Sequence, residues 1–253
     1  MAARSVCCGT CICVKASDIA VGRGSPSVGG AGARGEVLDL LAAAIESVRS
    51  AHPVRIAVDG PDAAGKTTLA DELAVVLRAR GREVIRASID SFHRPRVQRY
   101  RRGQYSPEGC YHDTFDYQAL RRVLLDPLGP DGDRRYQPAV FDHRTDNAVC
   151  APATTASADA VLLFDGVFLL RPELADVWDL RVFVTVTAEE TLRRALGRDL
   201  ALLGSAAEVR RRYRERYLPA QQLYTAEARP DEHADIVVHN DWPQHPSWEV
   251  RPR

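Results

Sequence analysis

The chain has 253 residues, and 34 lysines and arginines balance 34 aspartates and glutamates, so its formal net charge is zero. That balance argues against a globally basic nucleic-acid binder or a protein drawn to anionic membranes. An apolar fraction of 45% supports a sizeable core, while no run approaches the ~18 consecutive apolar residues of a membrane-spanning helix.

Residues 1–34 are rich in Gly, Ser and Ala without sustained periodicity, and are expected to be a disordered extension. Cys7, Cys8, Cys11 and Cys13 crowd this stretch, but no second ligand pair follows at finger-like distance, which argues against a thiolate metal site. Arg4 and residues 5–14 imitate a signal peptide without a small-residue cleavage site. The expectation is a cytoplasmic protein with reduced thiols.

A helix is predicted over residues 36–50, where Val37, Leu40, Leu41 and Ile45 share a face. Residues 54–58 read as a buried strand. A second helix is predicted over 68–80, stopped by Gly81, and a second strand over 83–89, ending at Asp90. Residues 91–116 are polar, aromatic and arginine-rich, and are read as a surface loop for substrate. Residues 117–125 look helical, 126–135 form a turn region and 136–141 a short strand. Residues 151–157 read as a linker. Apolar runs at 160–164 and 180–186 predict buried strands, helical patterns follow at 188–203 and 208–224, and 236–238 is a last short strand. Strands alternating with helices predict an α/β domain with a mostly parallel sheet flanked by helices.

One motif carries chemistry. Gly60-Pro61-Asp62-Ala63-Ala64-Gly65-Lys66-Thr67, followed by Thr68, has the pattern of a phosphate-binding loop between an apolar strand and an amphipathic helix. Its glycines let successive backbone N–H groups face one anion, and the helix adds its positive N-terminal end. Lys66 is placed to reach the β- and γ-phosphates of ATP or another nucleoside triphosphate, and the Thr67 hydroxyl to ligate Mg2+. Lysine occurs only at Lys15 and Lys66; every other such cation is arginine.

Two acids close predicted strands. Asp90 follows Ile89, and Asp165 follows Phe164. Ligands in such sheets bind beyond the carboxyl ends of the strands. One acid there would hold Mg2+ or its water shell, and the other would accept the proton of an attacking hydroxyl.

Taken together, the residues resemble the uridine kinase-like P-loop kinases, in the phosphoribulokinase/uridine kinase group. The resemblance covers about residues 53–242. It rests on the phosphate loop, Asp90-Ser91-Phe92-His93, residues 111–116, Phe141-Asp142-His143-Arg144, Phe164-Asp165-Gly166, the stretch 193–199 and Arg216-Tyr217-Leu218-Pro219. It implies a P-loop kinase domain over 35–242, with a tail at 243–253. It also implies that Asp90 is the general base on a nucleoside 5′-hydroxyl and that Asp165 helps Thr67 hold Mg2+. Arg194 and Arg198 would belong to a lid over the triphosphate. His93, Tyr111, Asp113 and His143 would contact the acceptor, a small hydroxyl-bearing molecule of the uridine or cytidine kind.

Three departures lie where the acceptor is recognised. His93 stands where the family often has tyrosine, the stretch flanking the base appears only as Pro138-Ala139-Val140-Phe141-Asp142, and the lid spacing is one residue longer. Pantothenate, nicotinamide riboside or a sugar stay open as acceptors, as does a nucleotide-hydrolysing regulatory ATPase. Arg94, Arg96, Arg99, Arg101 and Arg102 surround Tyr100, but zero net charge favours an acceptor loop over RNA binding. The arginines of residues 210–216 read as a solvated helix face. Oligomeric state is left open, a homo-oligomer included.

Overall fold

A computed structural model describes residues 28–251. At its centre is a seven-stranded sheet. In chain order its strands are β1 (Val28–Ala31), β2 (Val54–Asp59), β3 (Val84–Ser88), β4 (Val161–Gly166), β5 (Leu180–Thr185), β6 (Ile236–His239) and β7 (Ser247–Val250). In space the order is β1-β7-β6-β5-β2-β4-β3. The run β3-β4-β2-β5-β6 is parallel, and β7 and β1 add antiparallel pairs at one edge. The register sets Ser88 beside Asp165 and Asp59 beside Gly166, so the ends that carry chemistry lie side by side.

β2 and β4 are buried along their whole length, as expected for central strands of a parallel sheet covered on both faces. Alternation then decides which face each residue serves. Ile56, Val58, Val161 and Leu163 pack with α1 (Arg34–Ser47) and α2 (Lys66–Ala79). Ala57, Leu162 and Phe164 face the opposite core, with Phe168, Trp178 and Tyr224. In α2, Leu69, Leu73 and Leu77 recur at helical spacing and are fully buried, each contributing about 1.5–3 kcal/mol of transfer free energy. Gly81, at φ +82°, turns the chain out of that helix.

Further helices are α3 (Pro107–Asp113), α4 (Ala188–Arg198), α5 (Ala206–Arg212) and α6 (Leu218–Ala228). A π-helical turn, Tyr213–Tyr217, joins α5 to α6.

Several expectations need correction. Residues 28–31 of the expected extension and 247–250 of the expected tail belong to the sheet: β1 and β7 pair with each other and β7 pairs with β6, while residues 1–27 of that extension lie outside the described residues. Neither strand carries an apolar run that periodicity would flag. Residues 91–116 are not a loose surface loop. Phe92, Tyr111 and Phe115 are core residues, and the arginines are tied down: Arg99 pairs with Asp146, and Arg101 and Arg102 with Asp113. Nor is residues 210–216 a wholly solvated face, because Arg216 is buried and donates to the carbonyls of Gln104 and Ser106. The four clustered N-terminal cysteines lie outside the described residues. Among those described, Cys110 is buried and Cys150 exposed, both as free thiols, and no helix is long and apolar enough to cross a membrane.

Deleting residues 243–253 therefore removes a sheet strand. The truncated protein is expected to lose at least about 3 kcal/mol of stability in urea denaturation; an unchanged midpoint would show β7 to be dispensable.

Candidate active site

The phosphate loop begins where β2 ends. At Gly60, φ is +148° and an added Cβ would stand 2.1 Å from the carbonyl oxygen of Val184, so no other residue fits. Gly65, at φ +91°, leads directly into α2. Ala63 also takes a positive φ of 58°. These turns leave the N-terminus of α2 aimed into a cavity of about 500 Å³, which Lys66, Thr67, Thr68, Arg194, Arg198 and Asn240 help to line.

Lys66 is 8% exposed and donates to the carbonyl of Pro61 at 2.7 Å. Burial lowers its pKa, and the nearby charges of Asp62 and Asp59 oppose that shift. Thr67 Oγ1 donates to Asp165 Oδ2 at 2.6 Å. Asp165 itself is 2% exposed, and its other oxygen accepts from Arg86 Nη2 at 2.9 Å. One hydroxyl and one carboxylate, converging beside a phosphate loop, suit a hard cation that takes its other ligands from phosphate and water. Among the described residues, no cluster of His, Cys, Asp and Glu could enclose a metal by itself.

Asp90 lies in a 3-10 turn, Ile89–Phe92, just past β3. Ser88 caps that turn by accepting from the Asp90 N–H. The Asp90 side chain is exposed, and no hydrogen bond or ion pair engages its carboxylate among the described residues. Its charge acts on Lys66, Asp62 and His93, which places it on the rim of the phosphate site.

The acceptor residues expected from the sequence separate into two groups. His93 and His143 come together next to Asp90. Their rings stack at 4.8 Å, His93 meets Phe115 edge-on at 4.7 Å, and His93 Nδ1 lies 2.9 Å from the Asp90 carbonyl. Tyr111 and Asp113 do not join them. Tyr111 is fully buried against Phe168 and Tyr224 with the Arg171 guanidinium over its ring, and Asp113 is buried between Arg101 and Arg102. Burial would raise the Asp113 carboxyl, but the hydrogen bonds from those arginines hold it below the usual range. Both residues belong to α3, whose buried face takes them away from the rim.

The two arginines expected in a lid also differ. Arg194 is committed: it donates to Glu190, to the loop carbonyls of Ala63 and Ala64, and to the carbonyls of Asn240 and Asp241. Arg198 is held by Asp199 and Tyr213, yet its side chain keeps 57% exposure.

Sequence reasoning missed three contributors. Asp59 is fully buried at the foot of the loop, where it accepts from Gly60 N at 2.7 Å, from Leu170 N and from the Tyr224 hydroxyl. Burial pushes its carboxyl up, and the Tyr224 hydrogen bond works against that. An acid closing the strand before Gly60 was the available signal. Asn240 holds the loop by donating to Ala64 O at 2.7 Å, and Arg34 donates to Asn240 in turn. Nothing in the local sequence marks either one.

A family model described as the phosphoribulokinase/uridine kinase family matches residues 55–240. The chain belongs to that family. This kinase is 27% identical over 191 residues to uridine-cytidine kinase B of Dictyostelium discoideum, covering 75% of each chain. It is 26% identical over 197 residues to a uridine kinase of Chlamydia pneumoniae, covering 75% of this chain and 82% of that one. Among solved structures, a possible uridine kinase from Bacillus stearothermophilus superposes with a TM-score of 0.62 at 23% identity, over 80% of this chain and 97% of that one. A Silicibacter sp. TM1040 kinase attributed to a fructose transport system superposes at 0.61 with 24% identity, over 78% and 94%. These two neighbours share the P-loop kinase fold. The kinase is thus a phosphotransferase that acts on a hydroxyl group of a small molecule, with a nucleotide as phosphate donor.

Burial lowers the pKa of His93 from 6.5 to about 4. Between those values the unfolded chain binds a proton that the folded chain refuses. The associated stability is complete above about pH 6.5 and drains away as pH falls toward 4. His93→Gln is expected to flatten the acid limb of the stability curve in that window; parallel curves for the two proteins would refute it.

Proposed function

We propose that this kinase transfers the γ-phosphate of ATP to the 5′-hydroxyl of uridine or cytidine, with Mg2+ as cofactor. The observation that carries the catalytic half is the unpartnered Asp90 carboxylate, on the same rim as Lys66 and beside the His93–His143 pair. The nucleoside half is supported by relatives named as uridine and uridine-cytidine kinases, at 26–27% identity.

In this reading the loop 60–67 and Lys66 hold the triphosphate. Thr67 and Asp165 would hold Mg2+, which when bound offsets charge on the β- and γ-phosphate oxygens. Asp90 orients the acceptor hydroxyl and takes its proton as the oxygen bonds to the γ-phosphorus; the bond to the β-phosphate oxygen breaks and a nucleoside diphosphate leaves. Arg198, the more exposed lid arginine, adds positive charge over the moving phosphoryl group. Arg194 anchors the lid to the loop. The protein's part is largely positioning and electrostatics. We place the reaction in the cytoplasm, with no membrane or nucleic-acid partner. Pairing of Arg99 with Asp146, and of Arg101 and Arg102 with Asp113, supports the absence of a nucleic-acid partner.

Asp90→Asn is expected to lower kcat about 10²–10⁴-fold while nucleotide affinity holds; near-normal turnover would remove Asp90 from the base role. Lys66→Ala should weaken nucleotide binding and turnover together. Phosphorylated product from a panel of uridine, cytidine, pantothenate, nicotinamide riboside and hexoses identifies the acceptor. Product from the pyrimidine ribosides alone is the expected outcome, and product only from another member would displace them.

A further inference from the structure

Asp165 is held on both sides. Thr67 donates to Oδ2 at 2.6 Å and Arg86 donates to Oδ1 at 2.9 Å. Arg86 lies on β3, in register with Leu163 of β4. Its guanidinium is itself fixed: Nη1 donates to the Leu163 carbonyl at 2.6 Å and Nε to Asp71 at 2.9 Å. Arg86 thus gives this buried carboxylate a hydrogen-bonded cationic partner without entering the cavity lining.

The hydrogen-bond direction matters. The Thr67 hydroxyl gives its proton to Asp165, so its lone pairs are left for another partner. Asp165, in contrast, has one oxygen on a cation and the other on that hydroxyl.

We propose that Arg86 is a positioning residue for the divalent ion of the donor site. It offsets the charge of Asp165 and keeps Oδ2 turned to Thr67, which limits how strongly that carboxylate can draw the ion. The consequence is a site of deliberately moderate metal affinity, with most of the ion's ligands left to phosphate and water. This inference rests on the nucleotide–Mg2+ reading given above.

The test is a Mn2+ titration, followed by electron paramagnetic resonance of free Mn2+, on protein saturated with ADP. Removing a unit positive charge beside a divalent ion is worth about a factor of ten even under strong screening. Arg86→Met is therefore expected to tighten the Mn2+ Kd about tenfold. Arg86→Lys, which keeps the charge, should stay close to wild type. Mere loss of structure would loosen metal binding, so the sign separates the two explanations. Arg86→Gln loses the charge but keeps an N–H donor, and serves if the methionine variant does not fold. Unchanged or weaker Mn2+ binding in the neutral variants overturns the inference. If the wild-type protein with ADP binds Mn2+ no better than ADP alone, the donor-site reading fails instead.

Discussion

The site depends on one close approach. The backbone at Gly60 passes so near the carbonyl of Val184 that a Cβ would fall 2.1 Å from it. Because no side chain intervenes, the loop can lie flat on the neighbouring strand and enter α2 at Lys66. Lys66, Thr67 and the N-terminus of α2 then all face the same cavity. The foot of the loop is pinned as well. Asp59 ties Gly60 to Leu170 and to Tyr224 of α6, so the far side of the sheet supports the same turn. From above, Asn240 and Arg194 bind the carbonyls of Ala63 and Ala64.

Charge is sorted by burial. Asp59, Asp165 and Lys66 are all within a tenth of complete burial, and each has a close polar partner. That is the condition for carrying charge inside a protein. Asp90 needs no such partner because it is exposed at the end of β3. In the proposed mechanism that distinction separates residues that hold geometry from the one assigned to exchange a proton. A carboxylate already committed to two donors has little capacity left to take a proton from a substrate, whereas an uncommitted one on the rim does.

The legible part of the sequence was the part governed by local rules. Gly60–Thr67 declares itself because its chemistry requires a fixed spacing between a strand and a helix. The buried strands were visible as apolar stretches at residues 54–58 and 160–164, and the structure draws them at 54–59 and 161–166. The expected acceptor side was harder to read because the residues that meet there come from distant segments. His93 and His143 are fifty residues apart in the chain and meet only because the hairpin at 141–148 packs against the Asp90 turn, where Val140 N–H donates to the Ser91 carbonyl. Tyr111 and Asp113 occupy a stretch with the right family motif, yet their helix turns them inward. A motif fixes identity and order; the side chain's destination is set by which helix face the core takes. The edge strands β1 and β7 were missed for a related reason. Each is short, and its place is earned by backbone pairing with the other rather than by an apolar pattern.

Arg194 and Arg198 show the same limit at the scale of one helical turn. They stand four residues apart on α4, so they share a face and look interchangeable in sequence. The structure gives them different neighbours. Arg194 lies over the loop, where carbonyls that the glycine-rich turn leaves unpaired need donors, and Glu190 one turn earlier fixes its guanidinium. Arg198 lies at the end of the helix, against Asp199 and the Tyr213 hydroxyl at the π-helical turn. Ala195, Val209 and Tyr213 form a small core of their own between α4 and α5. One arginine therefore completes the backbone of the phosphate cradle, and the other lines the same cavity with its side chain partly exposed.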